Sequence, residues 1–183
     1  MLKWIIRRRL AGFERAYDYD MSYAHDILRA SLTAFRRFAG ILGMAEYRQD
    51  VPLAAWYAAK LAATLAEDCG PCTQLVATMA ERAGVAAADL RAVIAGDPTA
   101  MGEEAALGYR FAQATLRRDL AAADRLRAQV LARWGERALV SLALAIAAAR
   151  VFPTVKYALG HGRACSRVTV GGESVAPAAL AHA

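Results

Sequence analysis

Residues 65–85, LAEDCGPCTQLVATMAERAGV, contain the feature on which the fold prediction depends, a pair of cysteines in a segment of helical character. Cys69 and Cys72 are two of the three cysteines in the protein, and Gly70 and Pro71 separate them. Proline lacks a backbone N–H and clashes with the preceding turn, so Pro71 fits a helix only in its first turn. A helix is therefore predicted to begin at about Gly70 or Pro71, with Cys69 near its N-cap and Cys72 in its first turn.

The sequence on either side of this segment also predicts helices. The helix of the second cysteine should end at Gly84, a left-handed residue, with Val85 as its hydrophobic partner. Asp50 is the predicted N-cap of the preceding helix, with Pro52 in the first turn. The predicted helices span residues 2–17, 22–29, 32–43, 51–67, 71–83, 87–95, 103–118, 121–134 and 136–151, the last of them ending before Pro153. Only the short segment SRVTVGG (166–172) alternates as a strand would, and residues 171–183 are expected to fray.

Several classes of protein carry a C-x-x-C pair. CGPC is the tetrapeptide of thioredoxins, but a strand precedes it there, whereas the residues before it here have helical periodicity. A structural zinc site needs four ligands of the Cys or His type, and the other candidates, His25, His161, Cys165 and His182, have no paired spacing. Two interpretations stay open: a pair of cysteines buried as small hydrophobic residues, and a dithiol redox centre.

The predicted position at a helix N-terminus gives the redox interpretation a physical basis. The positive end of the helix dipole and its free N–H groups favour a thiolate, which lowers the thiol pKa from its reference value of about 8.5. The spacing also lets the two sulfur atoms approach disulfide distance. Glu67 and Asp68 act in either of two ways: their carboxylates disfavour a second negative charge, or one of them serves as the base that takes the thiol proton.

Composition predicts a soluble, cytoplasmic helical protein with a substantial core. Of the 183 residues 57% are hydrophobic and only 5 are proline. The net charge of +6 suits an acidic partner, but arginines and acids alternate at helical spacing without a nucleic-acid-binding motif, which disfavours nucleic acid. Residues 7–9, three arginines, interrupt the apolar N-terminus and disfavour a secretory signal. The longest apolar run, 138–149, is shorter than the ~20 residues of a membrane span.

The basic N-terminal segments KWIIRRR (3–9) and FRRF (35–38) allow two interpretations. Trp4 and the arginines have the composition of an arm that lies on an anionic membrane surface. Packing of the same arm against another subunit is the favoured alternative.

The cysteine segment resembles a known family. An amphipathic helix, then C-x-x-C opening a second helix, then A-x-x-x-G-V-x-x-x-x-L, is similar to the core pattern of the alkyl hydroperoxidase D / carboxymuconolactone decarboxylase family. The later segment GERALVSLALAIAAARVFPTVKYALG (135–160) is similar to the family's companion helix. The resemblance covers roughly residues 51–160, and the matching residues are Cys69, Cys72, Ala80, Gly84, Val85 and Leu90.

The resemblance implies an all-α helical bundle of the alkyl hydroperoxidase D-like type. Its core would span residues 49–165, with an extra N-terminal helical arm over 1–48 and a C-terminal tail over 166–183. It also implies a homo-oligomer, either a dimer, a trimer or a hexamer. In the peroxidase branch Cys72 would attack the peroxide and Cys69 would resolve it, and a thiol reductant would restore the pair without a cofactor or a metal.

The chain departs from the family's proton relay at both of its positions. Where that branch places a histidine after the second cysteine and a glutamate on the preceding helix, this chain has Val76 and Tyr57. Neither moves a proton readily near neutral pH, because valine cannot ionise and tyrosine has a reference pKa near ~10. The candidate substitutes are Glu67, Asp68, Gln74, Lys60 and His161, whereas His25 and His182 receive no role.

Two functions are predicted. The first is a thiol-dependent peroxidase-type or thiol–disulfide oxidoreductase, with Cys72, Cys69 and Glu67 as its catalytic residues. Its partners would be a small peroxide or disulfide substrate and a thiol reductant. The alternative is a non-catalytic oligomeric helical binding or scaffold protein of the same fold.

Overall fold

The computed structural model describes residues 1–178, so His182 and the rest of 179–183 lie outside the described residues. Within that range the chain forms helices and one short hairpin, which confirms the all-α class. The helices are α1 (Leu2–Tyr17), α2 (Ser22–Ala30), α3 (Leu32–Ala39), α4 (Ile41–Glu46), α5 (Leu53–Ala66), α6 (Gly70–Arg82), α7 (Ala87–Ala95), α8 (Glu103–Arg117) and α9 (Leu120–Ala158). The hairpin pairs β1 (Val168–Val170) with β2 (Glu173–Val175) in antiparallel register.

Helix α5 lies at the centre of the main core. Eleven of its fourteen residues are buried, and α6, α7, α8 and α9 all pack against it. The closest approach is to α8, where Gly108 faces Ala55 and any Cβ would overlap the Ala55 backbone. Because an alanine-rich helix presents little side-chain bulk, its neighbours come close on every side and bury almost the whole of it.

Several predicted helix ends are confirmed, and three predictions are wrong. The single helix predicted over 32–43 is two helices, α3 and α4, separated at Gly40, and the second runs on to Glu46. Gly84 has the expected positive φ of 92°, and the Val85 N–H donates to the carbonyl of Ala80. Asp50 is not the N-cap of α5, because Pro52 holds that position and the Asp50 carboxylate instead accepts from the Nε of Arg137 at 2.6 Å.

Helix α9 continues beyond its predicted end. The break predicted at Gly135 is present as a kink with φ 80° and ψ −176°. The stop predicted before Pro153 is wrong, since the helix includes Pro153, which is buried, and runs on to Ala158. The loss of one backbone hydrogen bond at the proline is tolerated here because packing of the same turn holds the helix together. That packing includes the Phe152 ring, which stacks edge-on against Phe38 at 5.6 Å.

By length and composition, α9 could cross a membrane. Its most apolar window has a mean hydropathy of 1.9, and 44% of that window is buried inside the fold. The core helix of a soluble protein meets the same criterion, so the hydropathy of α9 does not by itself distinguish the two.

Helices α1 to α3 build a second apolar cluster beside the main core. The buried members of this arm cluster are Leu10, Tyr19, Tyr23, Ala24, Leu28 and Phe35. The cluster packs on α6 through Leu75 and on α9 through Val155. Arg82 of α6 also fastens the end of α1, because its guanidinium donates to the carbonyl of Ala16 at 2.6 Å and lies over the Tyr17 ring.

The described part of the C-terminal segment is not frayed, contrary to expectation. The side-chain amide of Gln74 on α6 bonds both backbone groups of Thr169 in β1, donating at 3.0 Å and accepting at 2.8 Å. The N–H of Ala178 donates to the carbonyl of Ile94 at the end of α7. The hairpin is therefore fixed to α6, directly after the segment that covers the cysteines.

Candidate redox site

Cys69 and Cys72 occupy the predicted positions at the start of α6. Cys69 is the N-cap residue and Cys72 lies in the first turn, with Pro71 between them. Their Cα atoms are 5.3 Å apart, and the two sulfur atoms form a disulfide. The hydroxyl of Thr73 donates to the Cys69 carbonyl at 3.0 Å and completes the hydrogen bonding of this turn. The geometry suits a pair that cycles between dithiol and disulfide.

The disulfide is sealed from solvent. Cys69 is 0% exposed and Cys72 is 4% exposed. One cover is the segment 163–165, because the N–H of Gly70 donates to the carbonyl of Arg163 at 3.0 Å. A Cβ on Gly70 would lie only 2.7 Å from the carbonyl oxygen of Ala164. Glycine between the cysteines is thus needed for this close approach of two backbone segments.

The other cover comes from the N-terminal arm. The hydroxyl of Tyr19 lies 3.8 Å from the Sγ of Cys72, and the Nζ of Lys156 on α9 donates to that same hydroxyl at 3.3 Å. The Lys156 ammonium also lies over the rings of Tyr19 and Tyr23, 4.4 Å and 5.2 Å from their centroids. The Lys156 amine, the Tyr19 phenol and the Cys72 sulfur therefore form a row of contacting groups inside the protein.

Burial controls the protonation of this row. Lys156 is 1% exposed, and the loss of water lowers its pKa, against the attraction of Asp20. Burial raises the pKa of Tyr19 well above its ordinary range and that of Tyr23 to about 12. Tyr19 therefore keeps its proton near neutral pH and can donate it to sulfur while it accepts a hydrogen bond from Lys156.

Sequence reasoning missed both Tyr19 and Lys156. The separations of 53 and 137 residues along the chain give no local pattern that joins them to each other or to Cys72. One signal was available. Lys156 is one of only three lysines among 23 basic residues, and it follows an apolar helix, where a lysine needs a buried partner.

The structure gives the two acids before the cysteines partners other than the sulfur atoms. Glu67 forms an ion pair with Arg150 of α9. Asp68 accepts from the N–H of Cys165 at 2.9 Å, and its carbonyl accepts from the hydroxyl of Tyr157 at 2.8 Å. Asp68 thus fixes the covering segment in place, while a proton-accepting role for Glu67 stays a prediction.

The other candidate substitutes for the relay residues, Gln74, His161 and Lys60, each contact groups other than the two cysteines. Gln74 holds β1, as described above. His161 pairs with Asp26 at 2.9 Å. The Nζ of Lys60 donates to the carbonyl of Ala45 and lies 4.0 Å from the centroid of the Trp56 ring, and burial lowers the pKa of Lys60 to about 8.

The positions of the family relay are occupied by core residues. Val76 and Tyr57 are 8% and 9% exposed and belong to the main core cluster. Burial raises the pKa of Tyr57, which makes it a still poorer base. His25 lies 3.5 Å from Glu14 on the arm, so the structure offers it the partner of an ordinary surface ion pair.

Cys165 is the free cysteine of the described chain, and it is partly buried. Burial raises its pKa, which disfavours a thiolate there. Within residues 1–178 no three His, Cys, Asp or Glu side chains come together as a metal site.

Two surface grooves lie away from the cysteines. They have volumes of about 350 and 390 Å³ and are lined by residues between Gly96 and Arg133, in the loop before α8, on α8 and on the first half of α9. Neither groove includes Tyr19, Lys156 or a cysteine.

No family model matches this chain, and neither a curated protein nor a solved structure matches it.

Proposed function

We propose that this protein is a thiol-dependent oxidoreductase that reduces small peroxides through reversible formation of the Cys69–Cys72 disulfide. The observation that carries the proposal is the row of Lys156, Tyr19 and Cys72, because it supplies a hydrogen-bond donor to the sulfur that would become a thiolate. We also propose that the helical core is of the alkyl hydroperoxidase D-like type, on the resemblance of its C-x-x-C segment.

The proposed cycle begins with the Cys72 thiolate. It attacks one oxygen of a hydroperoxide, so that an S–O bond forms, the O–O bond breaks and the leaving alkoxide takes a proton to become an alcohol. The Cys69 thiol then attacks the sulfur of the Cys72 sulfenic acid and forms the disulfide, and its proton leaves with the hydroxide as water. An external dithiol supplies the two electrons that restore the pair.

Tyr19 and Lys156 would replace the missing histidine and glutamate. In the reduced protein the Tyr19 hydroxyl donates to the Cys72 thiolate, and the nearby Lys156 ammonium stabilises the negative charge. The same hydroxyl is placed to protonate the leaving alkoxide, with Lys156 as the group that returns the proton. This role explains why a lysine is buried beside two tyrosines.

Burial of the pair selects among substrates. With Cys69 buried and Cys72 4% exposed, the pair disfavours a disulfide on a folded protein partner more than it disfavours a small hydroperoxide and a small dithiol reductant. We therefore favour peroxide reduction over exchange with protein disulfides.

A peroxide-consumption assay with a dithiol reductant tests the proposal. Cys72→Ser should abolish consumption, and Cys69→Ser, treated with peroxide in the absence of the dithiol, should stop at a sulfenic acid that a dimedone-type probe traps. Cys165→Ser, which keeps the pair intact, is the matched control and should consume peroxide at the rate of the unsubstituted protein. Equal turnover by all four proteins would overturn the proposal.

A non-catalytic helical scaffold is the second candidate. It is favoured by one observation, that Val76 and Tyr57 are core residues where the resembled family has its relay. It predicts that the reduced cysteines have ordinary or raised pKa values and resist mild peroxide. Alkylation of the reduced protein as a function of pH separates the two candidates.

We also propose a homo-oligomer in the cytoplasm, as the resemblance and the composition lead us to expect. Sedimentation velocity would show a dimer, trimer or hexamer, and a monomer at every concentration would exclude it.

A further inference from the structure

Helix α1 divides into an anchored half and a projecting half. The anchored half packs Leu10 into the arm cluster, with Phe13 and Tyr17 against it, and Ile6 of the other half also contacts the cluster. The projecting half holds large apolar side chains that the fold leaves in solvent: Leu2 is 44% exposed, Trp4 63% and Ile5 42%. A soluble protein gains nothing by exposing three such residues in one turn, so they indicate a binding surface.

The same half carries positive charge without compensation. Lys3 and the arginines at 7–9 are all exposed, and the first acid along the chain is Glu14. The guanidinium of Arg8 lies 5.6 Å from the centroid of the Trp4 ring. Indole beside cations is the combination that proteins place at the boundary between lipid headgroups and acyl chains.

We propose that the projecting half of α1, residues 2–9, docks on an anionic lipid surface. Its apolar side chains would enter the headgroup boundary while Lys3 and the arginines contact lipid phosphates. Nucleic acid would satisfy the cations but would leave Leu2 and Ile5 in water. A second copy of the chain packed symmetrically on the same segment would bring identical positive charges together.

The fold allows this docking without disturbing the redox centre. Arg82 holds the end of α1 on α6, and the residue that covers Cys72 follows that end. Because α1 is one continuous helix, residues 2–9 keep a fixed direction relative to the anchored end, with Leu2, Trp4 and Ile5 exposed. The inference is therefore independent of the proposed peroxidase activity.

Co-sedimentation with lipid vesicles tests the inference. The full chain should pellet with vesicles of equal parts phosphatidylcholine and phosphatidylserine and stay in solution with phosphatidylcholine alone. Replacing the three arginines at 7–9 with glutamine should lower the partition coefficient on the order of 100-fold, because each cation at an anionic surface contributes a roughly fivefold factor. The matched control replaces three exposed arginines of α8 and α9, Arg110, Arg117 and Arg125, in the same way and should keep its binding.

The tryptophan supplies a second readout that net charge does not affect. Binding should shift the fluorescence of Trp4 to shorter wavelength, and Trp4→Phe should remove that shift while Trp56 and Trp134 stay as they are. Failure of the unsubstituted chain to pellet with the anionic vesicles would overturn the proposal. Equal loss in the two arginine variants, or an unchanged shift in Trp4→Phe, would also overturn it, because binding would then depend on net charge alone.

Discussion

The ammonium of Lys156 donates to the hydroxyl of Tyr19 at 3.3 Å, although 137 residues separate the two in the chain. This bond joins the last turn of α9 to the loop between α1 and α2, and it lies directly above Cys72. The arm is thus part of the candidate redox site, because it supplies the side-chain hydroxyl that hydrogen-bonds the Cys72 sulfur.

Tyr19→Phe should weaken the chemistry and lower the free energy of unfolding by about 1–3 kcal/mol, because it keeps the ring but removes the hydroxyl partner of the buried Lys156 ammonium. The thiol pKa of Cys72 in the reduced protein should rise, and peroxide reduction should slow on the order of 10- to 100-fold. Tyr109→Phe removes a similar buried hydroxyl far from the cysteines and serves as the control. Equal rates in the two variants would contradict a role for the Tyr19 hydroxyl.

Lys156→Met should raise the thiol pKa of Cys72 without lowering the free energy of unfolding, since a buried cation is replaced by an apolar side chain of similar length. Burial lowers the pKa of Lys156, so its effect on the thiolate should disappear at a pH below the ordinary lysine range. pH-dependent alkylation measures this. Lys60→Met, which removes the other buried lysine, should leave the thiol pKa unchanged.

Lys60→Met should stabilise the fold near neutral pH. The pKa of Lys60 is about 8 in the folded state against 10.5 in the unfolded chain, so the unfolded state binds more protons between these values. The free-energy cost of burying the charged lysine is fully present below pH 8 and disappears above pH 10.5. The variant should gain up to roughly 3 kcal/mol at neutral pH, and denaturant unfolding should show this gain shrinking as the pH rises from 8 to 10.5.

Glu67→Gln should change peroxide reduction by less than about threefold, because the carboxylate is engaged with Arg150 and a partly exposed ion pair contributes little. Arg150→Gln breaks the same pair from the other side and is the matched control. If only Glu67→Gln lost activity, and by tenfold or more, the sequence-based assignment of Glu67 as a proton acceptor would be supported.

Gly108→Ala should destabilise the main core by about 1–3 kcal/mol, because the added Cβ overlaps the Ala55 backbone and neither α5 nor α8 can move away freely. The control is Gly12→Ala in α1, where a Cβ meets nothing within 4 Å. That change should stabilise by about 0.5–1 kcal/mol through helix propensity. Thermal unfolding measures the stability of both variants, and a lower melting temperature in both would refute the packing explanation.

The local part of the fold was predictable from sequence. Helices 2–17 and 87–95 have the bounds that periodicity predicts, and Pro71 correctly places the cysteines at a helix start. These features depend on backbone propensity and on neighbours within one or two turns. Pro153 was wrongly taken as a stop, because the packing that keeps the helix intact around it involves residues distant in the chain.

The residues of the candidate site show the same difference between local features and contacts over long distances in the chain. Cys69 and Cys72 were found because their spacing is local. Tyr19 and Lys156 were not, because their role depends on how the arm cluster packs on α6 and α9. Such contacts leave only an indirect mark on the sequence, here a lysine in a chain that otherwise uses arginine.

At the kink in α9 the backbone adopts a conformation that L-amino acids disfavour, so the sequence must supply a residue that tolerates it. At Gly135 the φ of 80° and ψ of −176° are the mirror image of an ordinary extended conformation, and a Cβ there would meet open space. Side-chain volume is therefore not what this position selects. Glycine, the one achiral residue, is the only genetically encoded amino acid that takes the place of a D-residue without strain.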